Sequence, residues 1–257
     1  MTDDIAEIHI MGSKLSLLDG GQLLEAVAEM VGSDRKAVVI ASGNVYSFNL
    51  AYEQEWLREF LNRAGIVRLE SDGLRLGARI LGFKTPRRVV FADFIWDLAR
   101  FAEQRGFSIF LLGSRCGVAD KAAARLQQRC PNLRIVGTHH GYFDKTRGSA
   151  ETQEVIQTIN AARPQLLFVG FGMPVQEKWL SENREHLGVN AVFTCGALFD
   201  FVSGELRRAP RWMTNHGLEW LGRFLIEPRR LWQRYLIGNT VFLWRVLKQR
   251  VGLVRFE

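Results

Sequence analysis

Leu166-Leu167-Phe168-Val169-Gly170-Phe171-Gly172-Met173-Pro174-Val175-Gln176-Glu177-Lys178-Trp179 is the stretch on which the reading of this chain turns. Its first four residues form an apolar β-type run, two glycines follow, and from Pro174 the pattern becomes helical. The glycines let the backbone approach a ligand closely, and proline is suited to the first turn of a helix. Strand, tight turn and helix in that order make one unit of a parallel α/β sheet.

The rest of the body repeats the unit. Candidate strands are Ala37–Ala41, Ile109–Leu112, Leu133–Val136, Leu166–Val169 and Ala191–Thr194. Helical patterns are Gly20–Val31, Gln54–Ala64, Phe94–Gln104, Val118–Arg129, Ala150–Ala162 and Val175–Glu185. The strands read as nearly continuous apolar runs, as in a parallel sheet covered on both faces. The predicted fold class is therefore α/β, a Rossmann-like doubly wound, mostly parallel sheet. Ligands of such sheets bind beyond the carboxyl ends of the strands, so the residues just after each strand are the candidates.

Charge divides the chain unevenly. The net charge is +7 over 257 residues. From Leu206 onward there are eleven Lys or Arg against three Glu, giving +8, while residues 1–205 hold 23 basic and 24 acidic side chains, giving −1. Four of the seven tryptophans (Trp212, Trp220, Trp232, Trp244) share that basic end. The expectation is a Rossmann-like core over 1–205 with a basic, Trp- and Arg-rich helical appendage over 206–257. No run approaches the ~20 apolar residues a spanning helix needs. Asp3, Asp4 and Glu7 at the start carry the wrong charge for a secretory signal. Cys116, Cys130 and Cys195 are an odd number with no CxxC, which fits reduced thiols in a cytoplasm.

Several loops carry candidate chemistry. A helix starting near Pro174 would turn free N–H groups and a positive dipole end toward phosphate. The third glycine of a dinucleotide fingerprint is missing, since Val175 stands there, which argues against a nicotinamide dehydrogenase. Gln176 and Glu177 in the first turn can hydrogen-bond a sugar or base. Ser42 and Asn44, in Ala41-Ser42-Gly43-Asn44, either bind substrate or cap the next helix. Asp72, before Gly73 and an expected helix Leu74–Leu81, is either a cap or a general base for an acceptor hydroxyl. Asp200, inside the apolar run Gly196-Ala197-Leu198-Phe199-Asp200-Phe201, needs a partner, either ligand or a nearby arginine. Arg88 and Asp93, around an expected strand start at Arg87-Arg88-Val89, raise the same question.

There is no Asp-x-Asp to hold a divalent ion, and the neighbouring His139 and His140 suit surface or packing roles better than a metal. No metal or other cofactor is expected. A departing diphosphate would then need arginine, whose fork matches phosphate oxygens. Arg207, Arg208, Arg211, Arg223, Arg229, Arg230 and Arg234 lie in the tail, interleaved with Trp, Leu and Tyr. Within Arg229–Arg250 apolar residues recur at helical spacing, with an expected break at Gly238-Asn239. Such a helix lies in a membrane interface, or packs on its own domain or another subunit, or faces nucleic acid.

Taken together, these strings resemble the WecG/TagA/CpsF family of bacterial glycosyltransferases (glycosyltransferase family 26). The resemblance runs from about Ile8 to about Leu247 and is carried by Gly170–Trp179, Phe199–Pro210, Gly217–Leu221 and Glu227–Arg230. Gly113 and the string Gly137–Phe143 fit as well. The resemblance implies inverting transfer from a UDP-sugar without metal. It implies a polyprenyl-diphosphate-linked acceptor at the inner face of the cytoplasmic membrane, where the protein is peripheral. It makes Asp72 the base, puts Ser42 and Asn44 near the sugar and Gln176 in the donor site, and lets Arg223, Arg230 and Arg234 close over the diphosphate. Gly170, Gly172, Pro174, Glu177, Phe199, Asp200, Arg208, Arg88, Asp93 and Gly113 complete the candidate site. Donors in view are UDP-linked N-acetylmannosamine, its uronic acid, or glucose, and nucleic acid is not an expected partner. A homo-oligomer is left open. Ser42 replaces the family's usual threonine, Tyr46 stands where many members have Glu, Glu70-Ser71 replaces the usual proline and Ala197 a common glycine. These departures bear on sugar specificity. The competing reading is a non-catalytic nucleotide-sugar-binding module of a polysaccharide assembly complex.

Overall fold

The computed structural model describes residues 5–207, 210, 213–214, 219–226, 228–254 and 256, with the backbone alone at Glu219, Arg223 and Arg230. A hairpin opens the chain, β1 (Glu7–Ile10) and β2 (Ser13–Ser16). Its turn residues Met11 and Gly12 both take positive φ, as a tight two-residue hairpin requires. There follow α1 (Gly20–Gly32), β3 (Val38–Gly43), α2 (Val45–Glu53), α3 (Glu55–Arg63), β4 (Ile66–Leu69), α4 (Asp72–Ile80) and α5 (Phe91–Arg105). The second half holds β5 (Ser108–Gly113), α6 (Val118–Arg129), β6 (Arg134–His139), α7 (Ala150–Ala162), β7 (Leu166–Gly170), α8 (Val175–Asn183), β8 (Ala191–Thr194) and α9 (Leu198–Ser203). Beyond them lie the helices Glu219–Ile226, Pro228–Trp232 and Gly238–Arg250.

The strands form one sheet in the order β1-β2-β4-β3-β8-β7-β5-β6. Every pairing is parallel except β1 with β2. The fold is α/β and Rossmann-like, with helices on both faces. On one face, side chains of α1, α5, α6 and α9 pack around Ile40, Ile66, Phe168 and Phe193. Phe91 stacks there on Phe193 at 5.3 Å, and Phe193 on Phe168 at 4.9 Å. On the other, α2, α3, α4, α7, α8 and the last helix enclose Val39, Val67, Leu167 and Val192.

Five strands match expectation in place, and α6 and α7 match to the residue. Three strands, α2 and α9 were not expected. In β1 exposed and buried residues alternate, Glu7 and His9 outward, Ile8 and Ile10 inward, so it lacks the continuous apolar run of the central strands. In β4 an arginine, Arg68, interrupts the run yet is fully buried. The expected strand at Arg87-Arg88-Val89 does not form. That segment makes one backbone bond, Val89 N–H to the Leu69 carbonyl at 2.9 Å, and then enters α5. Nor is there a break at Gly238-Asn239. A π-helical turn, Gln233–Ile237, runs directly into the last helix, and Gly238 keeps helical angles. The helix turns inward there: Asn49 Nδ2 donates to the Gly238 carbonyl at 2.7 Å.

Candidate active site

The parallel strands β3, β4, β7 and β8 are neighbours in the order β4-β3-β8-β7, so the loops that follow them lie side by side along the carboxyl edge of the sheet, where ligands of such folds bind. The base of the β3/β4 wall is built around Arg68. Its Nη1 meets Glu70 Oε1 at 2.9 Å, its Nη2 donates to the Thr194 carbonyl at 2.8 Å, and its guanidinium lies 4.1 Å over the Phe91 ring. A buried cation needs such partners, and here one carboxylate, one carbonyl and one aromatic face supply them. Glu70 also accepts the hydroxyl proton of Ser42, while Ser42 N–H donates to Thr194 Oγ1 at 2.8 Å. β3, β4 and β8 are thereby tied together at their carboxyl ends.

Asn44 is the N-cap of α2, its side chain accepting from Ser47 N–H, while its Nδ2 lies 3.5 Å from Ser42 Oγ. The cap of α4 is Ser71, whose hydroxyl accepts from Leu74 N–H, so Asp72 is left in the first helical turn with its carboxylate one-third exposed. A carboxylate suits that position, where the helix dipole is positive. Arg88 Nε contacts Asp72 Oδ2 at 3.1 Å, and Arg88 Nη2 donates to the Thr214 carbonyl at 2.8 Å. The guanidinium thus bridges the loop after β4 to the segment leading into the C-terminal helices. Asp93 lies in the first turn of α5.

The opposite wall is the glycine turn. Pro174 is the N-cap of α8, and Gly172, at φ +83°, faces open space. Gly113 ends β5 at φ +150°, where a Cβ would sit 2.4 Å from the Gly170 carbonyl, so only glycine permits these two turns to touch. Gln176 and Glu177 are both buried. Gln176 Oε1 accepts from Gly196 N–H at 3.0 Å and its Nε2 donates to Glu177 Oε1 at 2.8 Å, so Gln176 couples α8 to the turn after β8. Burial pushes the Glu177 carboxyl up to about 7, against which the Gln176 hydrogen bond acts weakly. Glu177 Oε2 is buried without a hydrogen-bond partner. Asp200 accepts from Ser114 Oγ at 2.9 Å, pinning α9 to the end of β5. Phe199 packs in the core against the Gly170 turn.

The C-terminal helices cover the β3 side. Phe242 and Val246 are buried against α2 and α4, and a Cβ on Gly77 would meet the Phe242 ring at 2.7 Å. Arg245 Nη1 donates to the Asn49 carbonyl and side chain at 3.2 Å, and its Nη2 pairs with Glu53 at 2.6 Å. Arg234 lies with its guanidinium 4.4 Å from the Tyr46 ring, two residues past Asn44. Arg208 lies outside the described residues, as do the side chains of Arg223 and Arg230. Among the described residues no three His, Cys, Asp or Glu side chains group as metal ligands, and no helix is long and apolar enough to cross a membrane.

The structure thus gathers Ser42, Asn44, Asp72 and Arg88 on one wall and Gly113, Gly170, Gly172, Pro174, Gln176 and Asp200 on the other. It adds Arg68, Glu70 and Thr194, which were not expected. The rule that singled out Asp200, a charge inside an apolar run, applies equally to Arg68 in Ile66–Leu69 and is the signal that would have found it.

A sequence profile of this fold and these loops fits the chain almost from end to end: that of the glycosyl transferase WecG/TagA/CpsF family matches residues 8–255. The chain belongs to this family. It is a glycosyltransferase. Among its relatives is the N-acetylglucosaminyldiphosphoundecaprenol N-acetyl-beta-D-mannosaminyltransferase of Staphylococcus aureus strain NCTC 8325 / PS 47. That protein is 24% identical over 246 residues, which cover 95% of this chain and 94% of the relative. Proteins of the same name from strains COL and MW2 match with the same identity and coverage.

Proposed function

We propose that this glycosyltransferase moves a hexose-type sugar from a UDP-sugar to a polyprenyl-diphosphate-linked saccharide, inverting the anomeric carbon and using no metal, in the synthesis of a bacterial surface or exported polysaccharide. The observation that carries the reading is the wall of Ser42, Asn44 and Arg88 around Asp72, a carboxylate one-third exposed at the carboxyl edge of the sheet and held from one side by an arginine. The names of the relatives supply the acceptor class, a diphosphoundecaprenol-linked N-acetylglucosamine.

In this reading an acceptor hydroxyl attacks the anomeric carbon while the bond to the β-phosphate oxygen breaks. Asp72 takes the hydroxyl proton, and UDP leaves with the bonding electrons. Arg88 holds Oδ2, which orients the carboxylate so that Oδ1 receives the proton. Positioned general bases contribute roughly 10²–10⁴-fold. The glycine turn and the start of α8 bring backbone N–H groups to the diphosphate. Arg223, Arg230 and Arg234 of the C-terminal helices meet its developing charge, the work a metal performs elsewhere.

The same helices reach the lipid. Trp232, Leu236, Ile237, Trp244, Leu247, Val251 and Leu253 are exposed, alongside the exposed Arg229 and Arg250 and the half-buried Lys248. Exposed tryptophan and leucine with basic residues suit a membrane interface. We therefore place the enzyme peripherally on the inner face of the cytoplasmic membrane, where such an acceptor lies. Asp72→Asn tests the chemistry. It should fold normally, bind UDP-sugar as the wild type does, and release UDP at least about 10²-fold more slowly in the presence of acceptor. Normal turnover by that variant would remove Asp72 as the base.

A further inference from the structure

We propose that Glu70 selects the charge of the donor sugar: with Ser42 it admits a neutral hexosyl group and turns away the corresponding uronate. The inference rests on the transferase reading above.

The charges of the β3/β4 wall sit at different depths. Glu70 pairs with Arg68, but the two are not equally placed. The Arg68 side chain is 0% exposed and spends its guanidinium on Glu70, the Thr194 carbonyl and the Phe91 ring, whereas the Glu70 side chain is 20% exposed. The cation is below the surface and the anion is at the rim. Arg88, the other cation of this wall, is engaged by Asp72, the Thr214 carbonyl and the Glu70 carbonyl. A ligand against this wall therefore meets the carboxylates of Glu70 and Asp72 before it meets either guanidinium.

Ser42 sharpens the selection. A hydroxyl has one proton to give, and that of Ser42 goes to Glu70 Oε2. Toward a ligand, Ser42 and Glu70 then present only lone pairs. A sugar hydroxyl, which donates, finds acceptors. A uronate carboxylate, which is acceptor-only when ionised, finds no donor on Ser42 or Glu70 and meets the like charges of Glu70 and Asp72. The hydroxymethyl group of a neutral hexose and the carboxylate of its uronate differ in these two properties.

The test uses the full-length protein and two matched donor pairs: UDP-N-acetylmannosamine against UDP-N-acetylmannosaminuronate, and UDP-glucose against UDP-glucuronate. For each, kcat/KM is measured with a polyprenyl-diphosphate-linked N-acetylglucosamine, and Kd by calorimetry without acceptor. The neutral member should be favoured by at least about tenfold, the scale of one unbalanced charge at a partly solvated site. Glu70→Gln, which keeps shape and removes charge, should narrow that ratio about tenfold. Arg68→Met combined with Glu70→Gln removes both members of the buried pair, leaves no orphaned charge, and should narrow it equally. Ratios taken within one preparation are insensitive to folded fraction, and a merely structural role would lower both donors alike. A wild-type ratio of one or below, or an unchanged ratio in both variants, would overturn the proposal. Absence of turnover with every donor would instead remove the transferase reading, and the Kd ratios would still decide the role of Glu70.

Discussion

Replacing Glu177 with glutamine removes a buried charge while keeping the size and hydrogen-bonding reach of the side chain. Glu177 is fully buried, and its carboxyl is pushed up to about 7 from an ordinary value of 4.5. In the folded protein the group keeps its proton up to about pH 7, whereas in the unfolded chain it loses it near 4.5. Folded molecules therefore bind more protons than unfolded ones between those values, and stability falls as pH rises through that window. At about 1.4 kcal/mol for each tenfold change, the full effect is about 3 kcal/mol, reached above pH 8. At pH 5 it is about 1 kcal/mol. Urea unfolding of wild type and Glu177→Gln from pH 5 to 9 measures the difference directly. The variant should gain on the wild type by about 2 kcal/mol across that range, with the gain levelling off above pH 8. The Gln176 Nε2 bond survives the change, because a glutamine oxygen also accepts. Parallel stability curves for the two proteins would show that Glu177 is not held protonated by its burial.

Other perturbations probe the rest of the structure. Gly113→Ala forces a Cβ to 2.4 Å from the Gly170 carbonyl, where only backbone can yield, and should lower stability by several kcal/mol in thermal unfolding. Phe242→Ala empties the contact between the last helix and α2 and α4; a loss of about 3–5 kcal/mol is expected, with faster amide exchange in Gly238–Arg250. Trp232→Ala with Trp244→Ala removes two exposed aromatic rings and should weaken flotation with anionic vesicles by at least about tenfold without changing the melting temperature.

What the sequence disclosed follows from how local each signal is. β5, β7 and β8 are buried on both faces and read as unbroken apolar runs, so their periodicity alone identifies them. The hairpin β1–β2 lies at the sheet edge, and β1 buries every second residue, a four-residue alternation too short to stand out. α2 buries Val45, Phe48 and Ala51 but also Ser47 and Asn49, which blurs its apolar stripe. Gly238 reads as a helix breaker, yet a mid-helix glycine costs only about 1 kcal/mol, and packing of Phe242 and Val246 outweighs it. Among the candidate site residues, Ser42 and Asn44 follow from lying at the end of an expected strand, and Asp72 from preceding Gly73 at the head of an expected helix. The Arg68–Glu70–Ser42–Thr194 network does not, because it joins β3, β4 and β8, and only the strand order brings residues 68 and 194 together. The burial of Gln176 and Glu177 was equally hidden: position in a first helical turn does not say which way the helix faces.

UDP release, measured with each UDP-sugar in the presence and absence of a polyprenyl-diphosphate-linked N-acetylglucosamine and in EDTA throughout, addresses the central claim most directly. The account predicts release that requires both a donor and the lipid acceptor, is undiminished by EDTA, and is accompanied by a β-linked disaccharide lipid. UDP-sugar binding without release, or release abolished by EDTA and restored by a divalent ion, would contradict it.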